Sequence, residues 1–375
     1  MKGTLKAISA FLVAVVMSMS MGAIAFADDG LATTDNTATI KVNFTAAEGL
    51  TAPAFGFDYS IAAGQAQEAD ANHQAVYAGV GNPTITNATL TAGQGSTDIK
   101  VTVPAGTFNH AGIYRYEVTQ AALSDEAITV GILNENGTGK AVTKLLDLYV
   151  DENGKVTGAA LIKDLNANTK SAGFDNTFGK SAGGDPTDPT NPDDPDTPDI
   201  PEDKVGKHDV TFTKNIAGAM ADANEVFNFD VTVTYAGTLD MSTAQWSIDG
   251  TKYNVGATAT NGIQVKGGQS VTITVPNNMT VKVVEKTAAG EGYSITSTAT
   301  AFNADATAIT TAVNADTLGT GGLVKYADAA IAYLNTRETI SPTGVALRYA
   351  PYLLIVAAGV AFLLVSRRRK ADINA

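Results

Sequence analysis

The chain has 375 residues, contains no cysteine and carries a formal net charge of −13 at pH 7. The lack of cysteine excludes thiol catalysis and a disulfide framework. The acidic balance repels nucleic acid and anionic lipid at long range, so neither is an expected partner.

The N-terminus has the pattern of a secretory signal over residues 1–27. Lys2 and Lys6 precede an uncharged apolar run over 7–24, which ends in a small-x-small cleavage site at 25–27. We therefore expect the mature chain to begin near Asp28. An uncleaved anchor helix is the alternative, but the apolar run is short for a membrane span.

Two regions, 28–182 and 205–339, each have the size of a single domain. Both contain short alternating runs rich in Thr, Val, Ile and Tyr, separated by turn signals such as Asn136-Gly137. This pattern predicts an all-β fold of two immunoglobulin-like β-sandwich domains with few helices.

The segment 183–204 separates the two regions and differs from both in composition. Proline recurs at every third position from Pro186 to Pro201, interleaved with Asp, Thr and Asn. Because polyproline II has three residues per turn, the segment is predicted to be a stiff spacer of roughly 50 Å. A calcium site formed by its aspartates is the alternative, but the prolines prevent a tight wrap around an ion.

Each region offers a lysine on its first strand, a glutamate on a later strand and an asparagine on its last strand. These are Lys41, Glu117 and Asn176 in the first region, and Lys214, Glu285 and Asn335 in the second. The spacings within the two sets are similar, which indicates one structural unit used twice.

Strand alternation tests whether these polar groups can meet. In the second region each shares a strand face with the apolar residues that alternate before it. These are Val210 and Phe212 before Lys214, Val281 and Val283 before Glu285, and Ile331 and Tyr333 before Asn335. In the first region Lys41 alternates away from its apolar neighbours, so its burial would require a bulge or a doubly buried strand.

A lysine and a glutamate buried side by side need an explanation, because isolated buried charges are costly. Burial lowers a lysine pKa and raises a glutamate pKa, so a neutral amine can attack an Asn side-chain carbonyl while the carboxyl shuttles the proton. The sets therefore predict Lys–Asn isopeptide bonds with Glu117 and Glu285 as the catalytic groups. The alternative is that all six are ordinary exposed strand residues.

The C-terminus, over 340–375, has the pattern of a membrane anchor preceded by a short motif. A charge-free apolar run over 349–365, long enough to cross a bilayer, precedes a tail of Arg and Lys. The motif before it consists of Ile340, Ser341, Pro342, Thr343 and Gly344.

With these motifs, the chain resembles the sortase-assembled pilins of Gram-positive bacteria, in particular the two-domain streptococcal T-antigen type with collagen-adhesin B-like, isopeptide-forming domains. The resemblance implies that a sortase cleaves after Thr343 and transfers the Thr343 carboxyl to an amine of another subunit or of peptidoglycan. It also implies an acceptor lysine shortly before the last strand of the first domain, where Lys170 lies, with Lys163 as the next candidate. Ile340 and Ser341 depart from the usual sorting motif.

Two other functions are alternatives to a structural pilin of the cell wall. A monomeric wall-anchored adhesin would bind a host or microbial surface ligand and would use the acidic linker to raise one domain from the wall. An enzyme is disfavoured because His73, His110 and His208 have neither metal nor triad spacing and no phosphate-loop pattern occurs. No metal or cofactor is expected.

Overall fold

The computed structural model describes residues 30–69, 74–164, 169–180, 206–286, 293–303, 312–313, 318–325, 327–338, 352 and 354–356. The predicted signal 1–27, the linker 183–204, the sorting motif 340–344 and most of the apolar run 349–365 lie outside these residues. Within the described ranges, no helix is long and apolar enough to span a membrane.

Residues 30–180 form the N-terminal sandwich, in which a short helix, α1 (Asp125–Thr129), accompanies the strands. Its described strands are β1 (Thr33–Thr34), β2 (Thr37–Ala46), β3 (Phe55–Phe57), β4 (Tyr59–Ala63), β5 (Tyr77–Ala78), β6 (Thr84–Ile85), β7 (Ala88–Leu90), β8 (Ser96–Thr102), β9 (Gly112–Gln120), β10 (Ile132–Leu133), β11 (Val142–Val150), β12 (Val156–Asp164), β13 (Thr169–Ser171) and β14 (Gly173–Phe178).

Residues 206–338 form the C-terminal sandwich. Its described strands are β15 (Lys207–Ala217), β16 (Phe227–Thr234), β17 (Gln245–Ile248), β18 (Thr251–Asn254), β19 (Thr258–Val265), β20 (Ser270–Pro276), β21 (Met279–Glu285), β22 (Ser294–Thr300), β23 (Ala312–Val313), β24 (Leu318–Val324) and β25 (Ala329–Thr336).

Each sandwich packs two main sheets face to face. In the N-terminal sandwich one sheet has the order β10-β14-β2-β8-β6 and the other β13-β12-β11-β9-β4. In the C-terminal sandwich the orders are β18-β17-β20-β15-β25-β22-β23 and β19-β16-β21-β24. The predicted all-β class of two β-sandwiches is confirmed.

The first long strand and the last strand of each sandwich lie side by side in the same sheet. Strand β2 pairs in parallel with β14, and β15 pairs in parallel with β25. Each first strand also pairs antiparallel with a central strand, β8 or β20. Since burial alternates along β15 and β25, every second side chain of these strands enters the core.

Direct contacts join the two sandwiches. The Glu126 carboxylate in α1 accepts hydrogen bonds from the Tyr235 hydroxyl at 2.7 Å, the Thr238 hydroxyl at 2.6 Å and the Leu239 backbone N–H at 3.0 Å. These bonds lower the pKa of Glu126 to about 2. The bond from Lys252 Nζ to the Leu50 carbonyl, at 2.8 Å, adds a second contact.

Candidate self-crosslinking site

The C-terminal sandwich brings Lys214, Glu285 and Asn335 together in its core. Lys214 lies on β15 opposite Tyr333 of β25, and Asn335 follows two residues later on the same face of β25. Glu285 is the last residue of β21 in the facing sheet. All three are buried, and the Lys214 and Glu285 side chains are both 0% exposed.

A single carboxylate oxygen connects the amine and the amide. Glu285 Oε1 accepts from Lys214 Nζ at 3.1 Å and from Asn335 Nδ2 at 2.6 Å, while Oε2 lies 3.2 Å from Lys214 Nζ. Among the described residues, Asn335 Oδ1 is one of two buried side-chain atoms without a hydrogen-bond partner. An unpaired buried carbonyl of this kind requires an explanation, because desolvating it costs about 1–3 kcal/mol.

The surroundings of Lys214 are aromatic. Its Nζ lies 4.2 Å from the ring centroid of Phe227, 5.6 Å from that of Phe229 and 5.9 Å from that of Tyr333. Burial lowers the pKa of Lys214 to about 8, against the opposing effect of the Glu285 charge. Burial likewise raises the pKa of Glu285, which Lys214 and Asn335 oppose. Both shifts favour the neutral amine and the protonated acid.

This geometry suits amide formation within the chain. The Lys214 amine lies in the same hydrogen-bonded group as the Asn335 side chain, and Glu285 Oε1 contacts both the nitrogen that must lose a proton and the nitrogen that must gain one. The arrangement can therefore transfer a proton between them without a solvent molecule.

The N-terminal sandwich does not bring the expected residues together. Lys41 Nζ lies 3.5 Å from Asp98 Oδ1 in an ion pair whose side chains are 54% and 50% exposed. Glu117 is partly buried and lies three residues before Gln120, the buried last residue of β9. Because three is odd, the Glu117 side chain points to the opposite face of that strand. Of the expected set, only Asn176 is in the core. The structure thus corrects the assignment of Lys41 and Glu117.

Strand register identifies the positions that correspond to the C-terminal set. Lys214 lies opposite Tyr333, two residues before Asn335. Val42 lies opposite Phe174, two residues before Asn176. Val42 is therefore the counterpart of Lys214, and Lys41 is one residue out of step. A one-residue slip moves a side chain to the other face of the sheet, as strand alternation indicated for Lys41.

The counterpart of Glu285 is Gln120. Glu285 is the last residue of β21 and lies opposite Phe229, and Gln120 is the last residue of β9 and lies opposite Tyr59. Gln120 Nε2 donates to Asn176 Oδ1 at 2.7 Å, which corresponds to the contact between Asn335 and Glu285.

Aromatic packing supports this correspondence. The rings of Phe229 and Tyr333 have centroids 5.2 Å apart and an interplanar angle of 65°. The rings of Tyr59 and Phe174, at the corresponding positions, have centroids 5.1 Å apart and the same angle of 65°. The two cores therefore share a frame and differ in the residues that could react.

The candidate acceptor lysines lie at one edge of the N-terminal sandwich. Lys170 is exposed on the edge strand β13, and Lys163 is exposed on β12 next to it. Neither is near the buried site of the C-terminal sandwich in sequence or sheet. The histidines are separate from one another: His110 contacts the Tyr114 hydroxyl at 2.9 Å, His208 contacts Asn277 Oδ1 at 3.0 Å, and His73 lies outside the described residues.

Two features were missed from the sequence. The sequence spacing favours Glu117, three residues before Gln120, although strand parity counted from the aromatic residues of β9 places Gln120 in the core. The buried pair Lys144 and Glu135 was also missed, since the loop that carries Glu135 gives no periodic signal that would place it next to β11.

Comparisons with known proteins give the following similarities. A family described as a domain of unknown function, DUF7601, matches residues 208–317. The crystal structure of the major pilin from Streptococcus pyogenes is 16% identical with a TM-score of 0.49, over 82% of this chain and 100% of that chain.

A second Streptococcus pyogenes major pilin, T3.2, is 16% identical with a TM-score of 0.48, over 81% of this chain and 99% of that one. A pilus-presented adhesin is 16% identical with a TM-score of 0.27, over 52% of this chain and 37% of that one. No curated protein sequence matches the chain. The function must therefore be inferred from the buried residues themselves.

Proposed function

We propose that the chain is a structural subunit of a pilus on the Gram-positive cell surface, and that an amide between Lys214 and Asn335 seals its C-terminal sandwich. The observation behind this proposal is the fully buried lysine, glutamate and asparagine set that spans the first and last strands of one domain. An extracellular protein without cysteine gains from such a link what other exported proteins gain from disulfides.

The proposed reaction balances within the site. Lys214 Nζ attacks Asn335 Cγ, the Cγ–Nδ2 bond breaks, and Glu285 passes the proton of the amine to the departing nitrogen. The products are one amide and one ammonia, and Glu285 ends in the protonation state in which it began. The reaction occurs once per chain, so the protein is not an enzyme with turnover.

The position of the amide suits a subunit that bears tension. Strands β15 and β25 are the first and last of their sandwich and lie side by side. A covalent link between them carries force applied at the two ends of the domain, so the hydrogen bonds of the sheet are not loaded. A pilus shaft needs this property more than a freely exposed monomeric binding protein does.

Assembly is proposed to use the sorting motif that follows β25. A sortase would cleave after Thr343 and pass its carboxyl to an amine of another subunit or of peptidoglycan, so the chain would meet the membrane only before sorting. Lys170 and Lys163 are the candidate acceptors. Lys170 is exposed on the edge strand β13 and Lys163 on the neighbouring strand β12, so both amines are accessible to an incoming sortase.

The amide is tested by the intact mass of residues 28–343. We expect a mass about 17 Da below the sequence value, because one ammonia leaves. The deficit should vanish in Glu285→Ala and persist in the matched control Glu117→Ala. A full sequence mass in the unaltered chain would contradict the proposed amide.

Assembly is tested on cell-wall extracts. A pilus subunit predicts a ladder of high-mass species that Thr343→Ala abolishes. The ladder should also be lost in Lys170→Ala if that lysine is the acceptor, and in Lys163→Ala if the neighbouring lysine is. Wall extracts that contain only single subunits would contradict polymerisation and favour the wall-anchored adhesin.

A further inference from the structure

Lys144 is a buried lysine of the N-terminal sandwich that the proposed function does not use. Its side chain is 1% exposed, and its Nζ donates to Glu135 Oε2 at 2.6 Å and to Ser171 Oγ at 2.7 Å. The Gly173 carbonyl accepts a third bond from the same nitrogen. Because an ammonium has three donors, all of its hydrogen-bonding capacity is satisfied.

This lysine approaches the frame shared by the two cores from the opposite sheet. Lys144 lies on β11, whereas Lys214, the buried lysine of the other sandwich, lies on a first strand. Its Nζ is 4.8 Å from the ring centroid of Phe174, which packs against Tyr59. In the C-terminal sandwich, Lys214 Nζ lies near the corresponding pair of rings. Both sandwiches therefore place one buried lysine near an aromatic ring at corresponding positions, Phe174 and Tyr333.

The residues around Lys144 do not suit amide formation. Val42 supplies no amine at the position of Lys214, and Gln120 cannot exchange a proton as Glu285 can. Asn176 has both side-chain atoms engaged, since Oδ1 accepts from Gln120 and Nδ2 donates to the Asn43 carbonyl at 3.3 Å.

Glu135 instead fits the role of a charged partner. Its side chain is only 12% exposed, and it lies in the loop after β10, close to the end of the strand that pairs with β14. The attraction between a buried lysine and a buried carboxylate is largely offset by their desolvation, but removing either one leaves an uncompensated buried charge and is strongly destabilising.

We propose that the Lys144–Glu135 ion pair is a non-covalent latch of the N-terminal sandwich, in the place where the C-terminal sandwich is proposed to carry its covalent link. The latch joins β11 to the loop after β10 and, through Ser171 and Gly173, to the turn between β13 and β14. It thereby also fixes the edge strand that bears Lys170. The N-terminal sandwich forms no Lys–Asn amide, so it can unfold and refold.

The covalent part of this proposal is tested by trypsin digestion of the denatured chain, residues 28–343. Trypsin cleaves after a free lysine and not after one whose amine is an amide. We expect complete cleavage after Lys144 and an unbranched peptide that contains Asn176. A branched peptide at either residue would overturn the proposal, whether or not Lys214 proves to be linked.

The latch itself is tested by hydrogen exchange in Lys144→Met and Glu135→Gln. Exchange in β11 and β14 should accelerate at least about a hundredfold, because each variant leaves one partner of a buried pair alone. Lys41→Met is the matched control, because its ion pair with Asp98 is exposed, and it should change exchange less than about fivefold.

Exchange in β15 and β25 is the internal reference and should not change. This reference separates the two proposals. Absence of the C-terminal amide would affect exchange in β15 and β25 equally in the unaltered chain and in every variant, so it cannot produce a change confined to β11 and β14. If Lys144→Met does not fold, Glu135→Gln decides the matter. Exchange in Glu135→Gln no faster than in Lys41→Met would overturn the latch.

Discussion

The two sandwiches have the same strand arrangement around the first and last strands but different chemistry at corresponding positions. The C-terminal core places Lys214, Glu285 and Asn335 where the N-terminal core places Val42, Gln120 and Asn176. One asparagine is common to both. From this comparison we infer that the fold supplies the frame, and we propose that two side chains decide whether the frame can react.

The largest expected effect comes from removing the asparagine that is common to both cores. Asn335→Ala prevents the proposed amide, which closes a loop of about 120 residues and so contributes roughly 4–5 kcal/mol by chain entropy. Asn176→Ala removes only hydrogen bonds and should cost about 1–3 kcal/mol. Thermal unfolding of both variants measures the difference. Equal losses of stability would contradict the asymmetry between the sandwiches.

A second experiment transfers the reactive set to the N-terminal sandwich. The double variant Val42→Lys and Gln120→Glu places an amine and a carboxyl beside Asn176. We expect a further mass decrease of about 17 Da in the folded protein. The single variant Gln120→Glu is the control, because it lacks the amine and should show no further decrease. A folded double variant without the extra decrease would show that the strand register does not define equivalent sites.

A smaller effect is expected where the sandwiches touch. The hydrogen bonds from Thr238, Tyr235 and Leu239 hold the pKa of Glu126 near 2, below its value in the unfolded chain. The stabilisation is therefore present above about pH 4.5 and is lost as the pH falls toward 2. Small-angle scattering should detect a loss of contact between the two sandwiches over this pH interval. Glu126→Gln should remove this pH dependence, and an unchanged dependence in that variant would assign it to other groups.

The smallest effect is expected at the surface of the N-terminal sandwich. Lys41→Met breaks an ion pair that is about half exposed on both sides, and such pairs contribute about 0–1 kcal/mol. Its melting temperature should stay close to that of the unaltered chain. A large destabilisation would mean that Lys41 has a structural role after all.

Strand alternation predicted the fold class and the shared face of Lys214, Glu285 and Asn335, because long strands with one buried face have a period of two. The same rule indicated that Lys41 faces away from the core. It did not identify Gln120, because the similar spacing of the two lysine, glutamate and asparagine sets favoured Glu117. The Lys144–Glu135 pair required the structure, because it joins a strand to a loop whose path depends on tertiary packing.

The most direct test of the asymmetric account is tandem mass spectrometry of tryptic peptides from the unaltered mature chain. We expect one branched peptide that joins Lys214 to Asn335, together with linear peptides for Asn176 and complete cleavage after Lys144. A linear peptide containing Asn335, or a branched peptide containing Asn176, would contradict the proposal that only the C-terminal sandwich carries a Lys–Asn amide.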